Sequence, residues 1–274
     1  MDRRSALKWG LGAAALFVVG PSRAETPLTG ELTQGILLRG KTEPGAAVLV
    51  DGRRVRVSPN GNFAFGVDWD RKNAVNLTVQ PRGGDPERRT LEIAQRDYKV
   101  QRINQLPGKY VTPDPSVAAR IKRDNQLIGA ARAHDTDEEW FAEGFDWPVT
   151  GPITGVYGSR RILNGEERQP HFGIDIAAGQ GIPIKSPVPA IVRMAEEDMY
   201  FTGGTVILDH GYGVSTSYLH MSRLDVKVGQ KVERGEVIGA IGKTGRATGP
   251  HLCWRLNWFA QKLDASLVVP KMPG

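Results

Sequence analysis

Two short stretches carry residue types that can hold a metal and move a proton: "HFGIDI", His171 to Ile176, and "HLCWRLNW", His251 to Trp258. Side chains alternate across a strand with period two, so an extended "HFGIDI" sets His171, Gly173 and Asp175 on one side and Phe172, Ile174 and Ile176 on the other. The same alternation sets His251, Cys253, Arg255 and Asn257 against Leu252, Trp254, Leu256 and Trp258. In both stretches one face is polar and the other suits a core. Cys253 is the single cysteine of the chain, which excludes an intramolecular disulfide framework and leaves a redox role without a partner thiol. An imidazole, a carboxylate and a thiolate brought together make a three-ligand zinc site with a fourth position left for water, the arrangement of a catalytic rather than a structural zinc. The alternative for Cys253 is a buried, inert thiol. His220 closes another alternating run, "YLHMS", and is a further histidine of interest. His210 in "LDHGYG" is expected to shape a turn or groove, and His134 to be a solvated surface residue.

The elements that must position these residues are short strands. The 274 residues are 40% hydrophobic and 24% charged, with 33 glycines and 18 prolines, a balance that predicts one or two soluble domains rich in strands and turns. From about residue 145 onward, "GIPIKSPVPAIVRMA", "GGTVILDHGYGVSTSYLHMS" and "VKVGQKVERGEVIGAIG" read as strands joined by tight turns, giving a β-rich domain over 145–270. Residues 25–99 alternate as well. Asp51-Gly52 and Asn60-Gly61 are expected to be type I′ hairpin turns, and Val48, Val50, Val55, Val57, Phe63, Phe65, Val67 and Trp69 to face inward in a small antiparallel sandwich. Residues 100–144 form a partly helical linker. Asp114 and Pro115 are placed as N-cap and first-turn residues, and Val117, Ile121, Leu127, Ile128 and Ala131 recur at helical spacing. A second short helix is expected from Thr136, with Glu139 completing a capping box. The linker is a candidate to lie across the following domain and regulate access to it.

Residues 1–24 read as a cleaved export signal: a basic start, an apolar run from about Trp9 to Gly20, and Ser22 and Ala24 placed as at a signal-peptidase site. Arg3-Arg4 resembles a twin-arginine signal, with Asp2 and Ala6 departing from its pattern, and the general export route stays open. The apolar run is short for a permanent anchor, since a spanning helix needs about 20 residues. No cysteine follows it to take a lipid. The predicted location is therefore periplasmic or secreted, without a permanent membrane anchor. Removing this segment lowers the formal charge from +6 to +3, as four basic residues and Asp2 are lost. That surplus suits contact with an anionic polymer such as a cell wall. No basic stripe with interleaved aromatics points to nucleic acid.

The ordered signatures "GVYGSR", "HFGIDIAAGQGIPIKSPVPAIV", "VILDHGYGVSTSYLHMS" and "VKVGQKVERGEVIGAIGKTGRATGPHL" resemble the M23 family of zinc metallopeptidases, the lysostaphin-type or LytM-like endopeptidases that cut peptidoglycan. "GKTEPGAAVLVDGRRVRVSPNGNFAF" resembles bacterial immunoglobulin-like (Ig-like) modules. The expected fold class is thus mainly β: an Ig-like sandwich, a helical linker and a LytM-like antiparallel domain. The resemblance implies that Zn²⁺ is held by His171, Asp175 and Cys253, with Cys253 standing where the family usually has a histidine and Arg255 where a glutamate often follows. It implies metal-assisted peptide hydrolysis with His251 as general base and His220 stabilising the oxyanion or protonating the departing amine, roles that can be exchanged. Tyr157 and Arg160 of "GVYGSR" are placed in the substrate groove. Peptidoglycan is the implied substrate. The other reading is a non-catalytic LytM-like regulator, partner to another cell-wall hydrolase or envelope regulator.

Overall fold

The computed structural model describes residues 25–104 and 108–273, so the predicted export signal at 1–24 lies outside the described residues. Among the described residues no helix is long and apolar enough to cross a membrane.

The alternating runs of residues 25–99 fold into two antiparallel sheets. One orders Leu28–Thr29, Leu37–Lys41 and Asn62–Gly66; the other orders Arg53–Val55, Ala47–Val50, Val75–Gln80 and Glu87–Leu91. Their inner faces meet in a core of Val48, Val55, Phe63, Phe65, Val67, Leu77 and Val79, while Val50 and Val57 pack at its edge. Asp51 and Gly52 both have positive φ, 49° and 76°, as a type I′ turn requires, and they join directly paired strands.

Asn60-Gly61 differs from expectation. Only Gly61 has positive φ; its N–H donates to Ser58 O and Ser58 N–H donates to Asn62 O, which makes a type I turn with a G1 bulge around Pro59. The strands on either side part into different sheets, and the bulge supplies the bend. Trp69 is likewise half-buried outside the sandwich core, its ring against Tyr98 and Phe172.

The C-terminal domain is built on one large sheet. Its order is Lys231–Val232, Ala190–Met199, Gly203–Asp209, Val214–Met221, His251–Trp258, Ile174–Ala177 and Ile153–Gly155, with Gln261–Leu263 paired to His251–Trp258. One face of this sheet packs Ile174, Ile176, Val206, Leu208, Tyr218, Leu252, Trp254 and Leu256 into the main core. The side chains between them in sequence therefore emerge on the opposite face.

The segment predicted as a linker is more integrated than its sequence suggests. Val100–Ile103 is a strand that pairs in parallel with Arg160–Leu163. Asp114 caps the turn Pro115–Val117 by accepting from Ser116 N–H, and the chain runs on into the helix Ala118–Arg132. Leu127, Ile128 and Ala131 of this helix pack on Met194, Met199 and Ile207, and Asp124 accepts from Tyr200 N–H. The helix thus covers part of the sheet face opposite the main core.

No second α-helix starts at Thr136: the chain makes only a 3-10 turn at Trp140–Ala142, and Glu139 forms no capping box. Its carboxylate instead accepts hydrogen bonds from Ser58, Asn60 and Asn62 of the sandwich. Three external donors outcompete a single local backbone N–H. His134 is exposed, as expected.

Candidate metal and catalytic site

The non-core face of the large sheet carries the site. Asp175 and Cys253 are direct partners in the antiparallel register of Ile174–Ala177 with His251–Trp258, so their side chains stand side by side. His171 lies just before the first of these strands. Its backbone is tied to the preceding loop by His171 N–H to Ser159 O (2.8 Å) and Gly158 N–H to His171 O (2.7 Å), and the neighbouring ring of Phe172 is wedged among Trp69 and Tyr157. So anchored, His171 Nε2 reaches 2.9 Å from Asp175 Oδ1 and 4.0 Å from Cys253 Sγ. One ligand atom from each of the three lies within 4.8 Å of the other two.

Two glycines make this approach possible. A Cβ at Gly155 would lie 2.2 Å from Asp175 Oδ2, and one at Gly173 would lie 2.9 Å from Cys253 Sγ. Gly173 shares the polar face that alternation gives His171 and Asp175, whereas Gly155 is brought there only by its pairing with Asp175.

The donor set suits zinc. Tetrahedral bonds of about 2.05 Å to nitrogen or oxygen and about 2.3 Å to sulfur imply N···O near ~3.3 Å and N···S near ~3.6 Å, a few tenths of an ångström from the distances found. Asp175 Oδ1 is buried without a hydrogen-bond partner despite its closeness to His171 Nε2, as expected of two lone pairs aimed at one cation. Burial opposes ionisation of Asp175, but the adjoining His171 ring and the Arg161 guanidinium hold its carboxyl below the usual range. Burial lowers His171 to about 4, against the pull of Asp175, so the imidazole is neutral and able to ligate. Burial and Asp175 push the Cys253 thiol up to about 12, with Arg255 and Arg161 opposing. In the protein alone Cys253 therefore keeps its proton, and a divalent cation must displace it.

His220 and His251 stand beside this centre with ring centroids 4.8 Å apart. His251 Nε2 is 3.8 Å from Asp175 Oδ1. His220 has φ 65°, in the left-handed region, where the pairing of Gly203–Asp209 with Val214–Met221 slips between Gly204 and Val206. The bulge re-aims a side chain that regular alternation would send into the core with Tyr218. Each ring is held through Nδ1, by Thr244 O at 2.8 Å for His220 and by Gly249 O at 2.9 Å for His251. A carbonyl only accepts, so both rings carry a proton on Nδ1 and leave Nε2 as the nitrogen free of that bond. Burial, then His251, lowers His220 to about 3 and keeps it neutral.

These residues line a cavity of about 820 Å³. Arg161 and Arg168 of the paired strands Arg160–Leu163 and Glu166–Arg168, and Phe201 and Thr202 of the turn after Ala190–Met199, contribute to the wall, as do Asn125, Ile128 and Arg132 of the helix. Tyr157 and Arg160 do not. Tyr157 is buried, with its hydroxyl donating to Lys262 O at 2.6 Å, and Arg160 turns outward to pair with Glu167. Strand alternation sends Arg161, not Arg160, toward the cavity, where it meets Asp175 Oδ2 at 3.2 Å. His210 stays apart from the cavity: it is buried between Pro189 O and the Thr216 hydroxyl, against the Phe145 ring.

Comparison with known proteins gives this geometry a context. Residues 169–265 match the model of Peptidase family M23. The chain is 32% identical over 235 residues to the peptidoglycan DD-endopeptidase ShyA of Vibrio cholerae, covering 84% of this chain and 50% of that protein. It is 29% identical over 170 residues to the cell division protein DipM of Caulobacter vibrioides, covering 59% of this chain and 26% of the other. The chain thus spans half or less of the length of these two curated relatives. A crystal structure from Pseudomonas aeruginosa assigned to peptidase M23 superposes with a TM-score of 0.65 at 27% identity, covering 87% of this chain and 95% of that one.

Proposed function

Because its C-terminal domain belongs to peptidase family M23, we propose that this protein is an exported zinc endopeptidase that hydrolyses peptide bonds in peptidoglycan stem peptides or crosslinks. The observation that carries the proposal is the convergence of His171 Nε2, Asp175 Oδ1 and Cys253 Sγ in a cavity that His220 and His251 also line. The DD-endopeptidase name of the ShyA relative favours crosslinks as the bond attacked. Export to the periplasm or beyond rests on the sequence of residues 1–24 and on where peptidoglycan lies.

His171, Asp175 and Cys253 would hold the metal. Bound zinc would polarise the scissile carbonyl and make hydroxide available near neutral pH. The rest is done by the chain. His251 Nε2, beside Asp175, is placed to take the proton of the attacking water. His220, neutral and with its proton on Nδ1, cannot donate from Nε2 to an oxyanion in that state. It becomes a donor to the oxyanion or the leaving amine only after a proton has reached it, so the pair works by passing one proton across the site.

The test is bound zinc, by elemental analysis, together with muropeptide release from purified sacculi. About one zinc per chain and release of crosslink-derived fragments are expected. Absence of both, with stimulation of another wall hydrolase, would overturn the peptidase reading in favour of a regulator. Gly155→Ala offers a second check. Its methyl group must displace the Asp175 carboxylate, and zinc affinity is expected to fall roughly 10- to 100-fold, as for other changes in the shell around a metal site. Competition with a chromophoric chelator measures this, and unchanged affinity would remove Asp175 from the ligand set.

A further inference from the structure

The charge of the cavity wall is lopsided. Arg132, Arg161, Arg168, Arg246, Arg255 and Lys262 line it, and Asp175 is the one carboxylate among the lining residues. These cations come from unconnected parts of the chain. Arg132 ends the helix Ala118–Arg132, Arg161 and Arg168 come from one hairpin, and Arg255 and Lys262 from another. Arg132 Nη2 donates to Ser217 Oγ at 3.2 Å, and Ser217 is the register partner of Arg255, so two guanidinium groups meet beside Cys253.

Four of these arginines keep an unused donor. The Nε–H groups of Arg132, Arg161, Arg168 and Arg255 are all buried without an acceptor. Burial with Arg255 nearby lowers Arg132 to about 9, and burial with Arg161 and Arg255 lowers Arg246 to about 10. An arginine keeps its proton at neutral pH, so the crowding persists as like-charge repulsion that an anion would relieve. Arg168 has Glu166 as a partner and Asp175 faces His171 and Arg161, so neither carboxylate pairs with Arg132 or Arg255.

We infer that the arginines around the site form a carboxylate-binding subsite, and that the cavity selects peptides with free carboxylates flanking the scissile bond. Guanidinium groups bind carboxylates through paired, charge-assisted hydrogen bonds, which makes an amide of the same shape a poor substitute. The linker helix then has a part in recognition, because it supplies Arg132. For the identity of the ligand this inference rests on the peptidoglycan reading, whose stem peptides carry free carboxylates on glutamate, diaminopimelate and alanine residues.

The experiment uses the full chain and a fluorescent tetrapeptide of alanine, γ-linked glutamate, diaminopimelate and alanine, with its carboxylates either free or converted to amides. Anisotropy titration is expected to show the free acid binding at least tenfold more tightly than the amide. Arg132→Gln and Arg255→Gln, with melting temperatures checked, are expected to narrow that ratio below about threefold. Equal binding of the two peptides by the wild type, failure to bind either, or a ratio unchanged in both folded variants would overturn the inference. Cleavage of a crosslinked muropeptide dimer is measured alongside. Selective binding without cleavage would support the subsite while overturning the peptidase reading.

Discussion

Replacing Cys253 by alanine is expected to strip zinc from the protein and to lower kcat/KM for crosslinked muropeptides by about 10³-fold or more, roughly 4 kcal/mol of transition-state stabilisation. The expectation follows from position. Sγ is buried on the sheet face opposite the core, 4.0 Å from His171 Nε2 and directly across the ladder from Asp175. Sγ faces Gly173 and Cys253 belongs to none of the apolar core clusters, so its removal should cost stability no more than an ordinary small buried change. A preserved melting temperature of the metal-free form would separate metal loss from unfolding. Cys253→His restores an imidazole donor, and a neutral donor leaves the metal a stronger Lewis acid than a thiolate does. That variant is expected to retain zinc and to turn over at least as fast as the wild type, provided the strand yields to the larger ring near Gly173. Elemental analysis and muropeptide release read both variants. Full metal content and full rate in Cys253→Ala would show that the thiol is not a ligand.

How much of this site can be read from sequence depends on what fixes each residue. Asp175 and Cys253 are legible because strand pleating alone puts them on a polar face, and the structure adds only that the two strands are register partners. His171 is partly legible. It falls outside the strand Ile174–Ala177 and is placed by backbone bonds to residues 158 and 159 and by the burial of Phe172, long-range effects that no local pattern encodes. His220 is not legible from alternation at all, since a bulge and a left-handed φ reverse its direction; only the ordered family signatures identify it. Arg160 and Arg161 show the converse failure. Adjacent residues on a strand point opposite ways, and without the register nothing says which one enters the cavity. Arg132 is hidden for another reason: it belongs to a helix that reads as a connector, and only packing of Leu127, Ile128 and Ala131 on the sheet brings it to the site. The turn at Asn60-Gly61 and the fate of Glu139 are tied to each other in the same way. The bulged turn presents Ser58, Asn60 and Asn62 to a carboxylate that local sequence would assign to a helix cap.

His251→Ala is expected to lower kcat by about 10²- to 10⁴-fold, the usual worth of a positioned general base, while leaving zinc content and substrate affinity nearly unchanged. The ring is outside the proposed ligand set, but its Nε2 lies 3.8 Å from Asp175 Oδ1 with Nδ1 fixed on Gly249 O, so its loss is expected to remove the proposed base without opening the metal site. His220→Ala is expected to cost about 10²- to 10³-fold in kcat, the range for losing one donor to a developing oxyanion. The two losses should not multiply. In the proposed mechanism, with both Nδ1 atoms committed to carbonyls and the rings 4.8 Å apart, one proton taken from water serves both histidines in turn, and a variant lacking either has already broken that transfer. The double variant should therefore be only a few-fold slower than the worse single one. Single-turnover cleavage of a muropeptide dimer by the zinc-loaded variants measures each value. Multiplicative losses would mean that the histidines act in independent steps, and a single variant losing zinc would mean that the ring is a ligand.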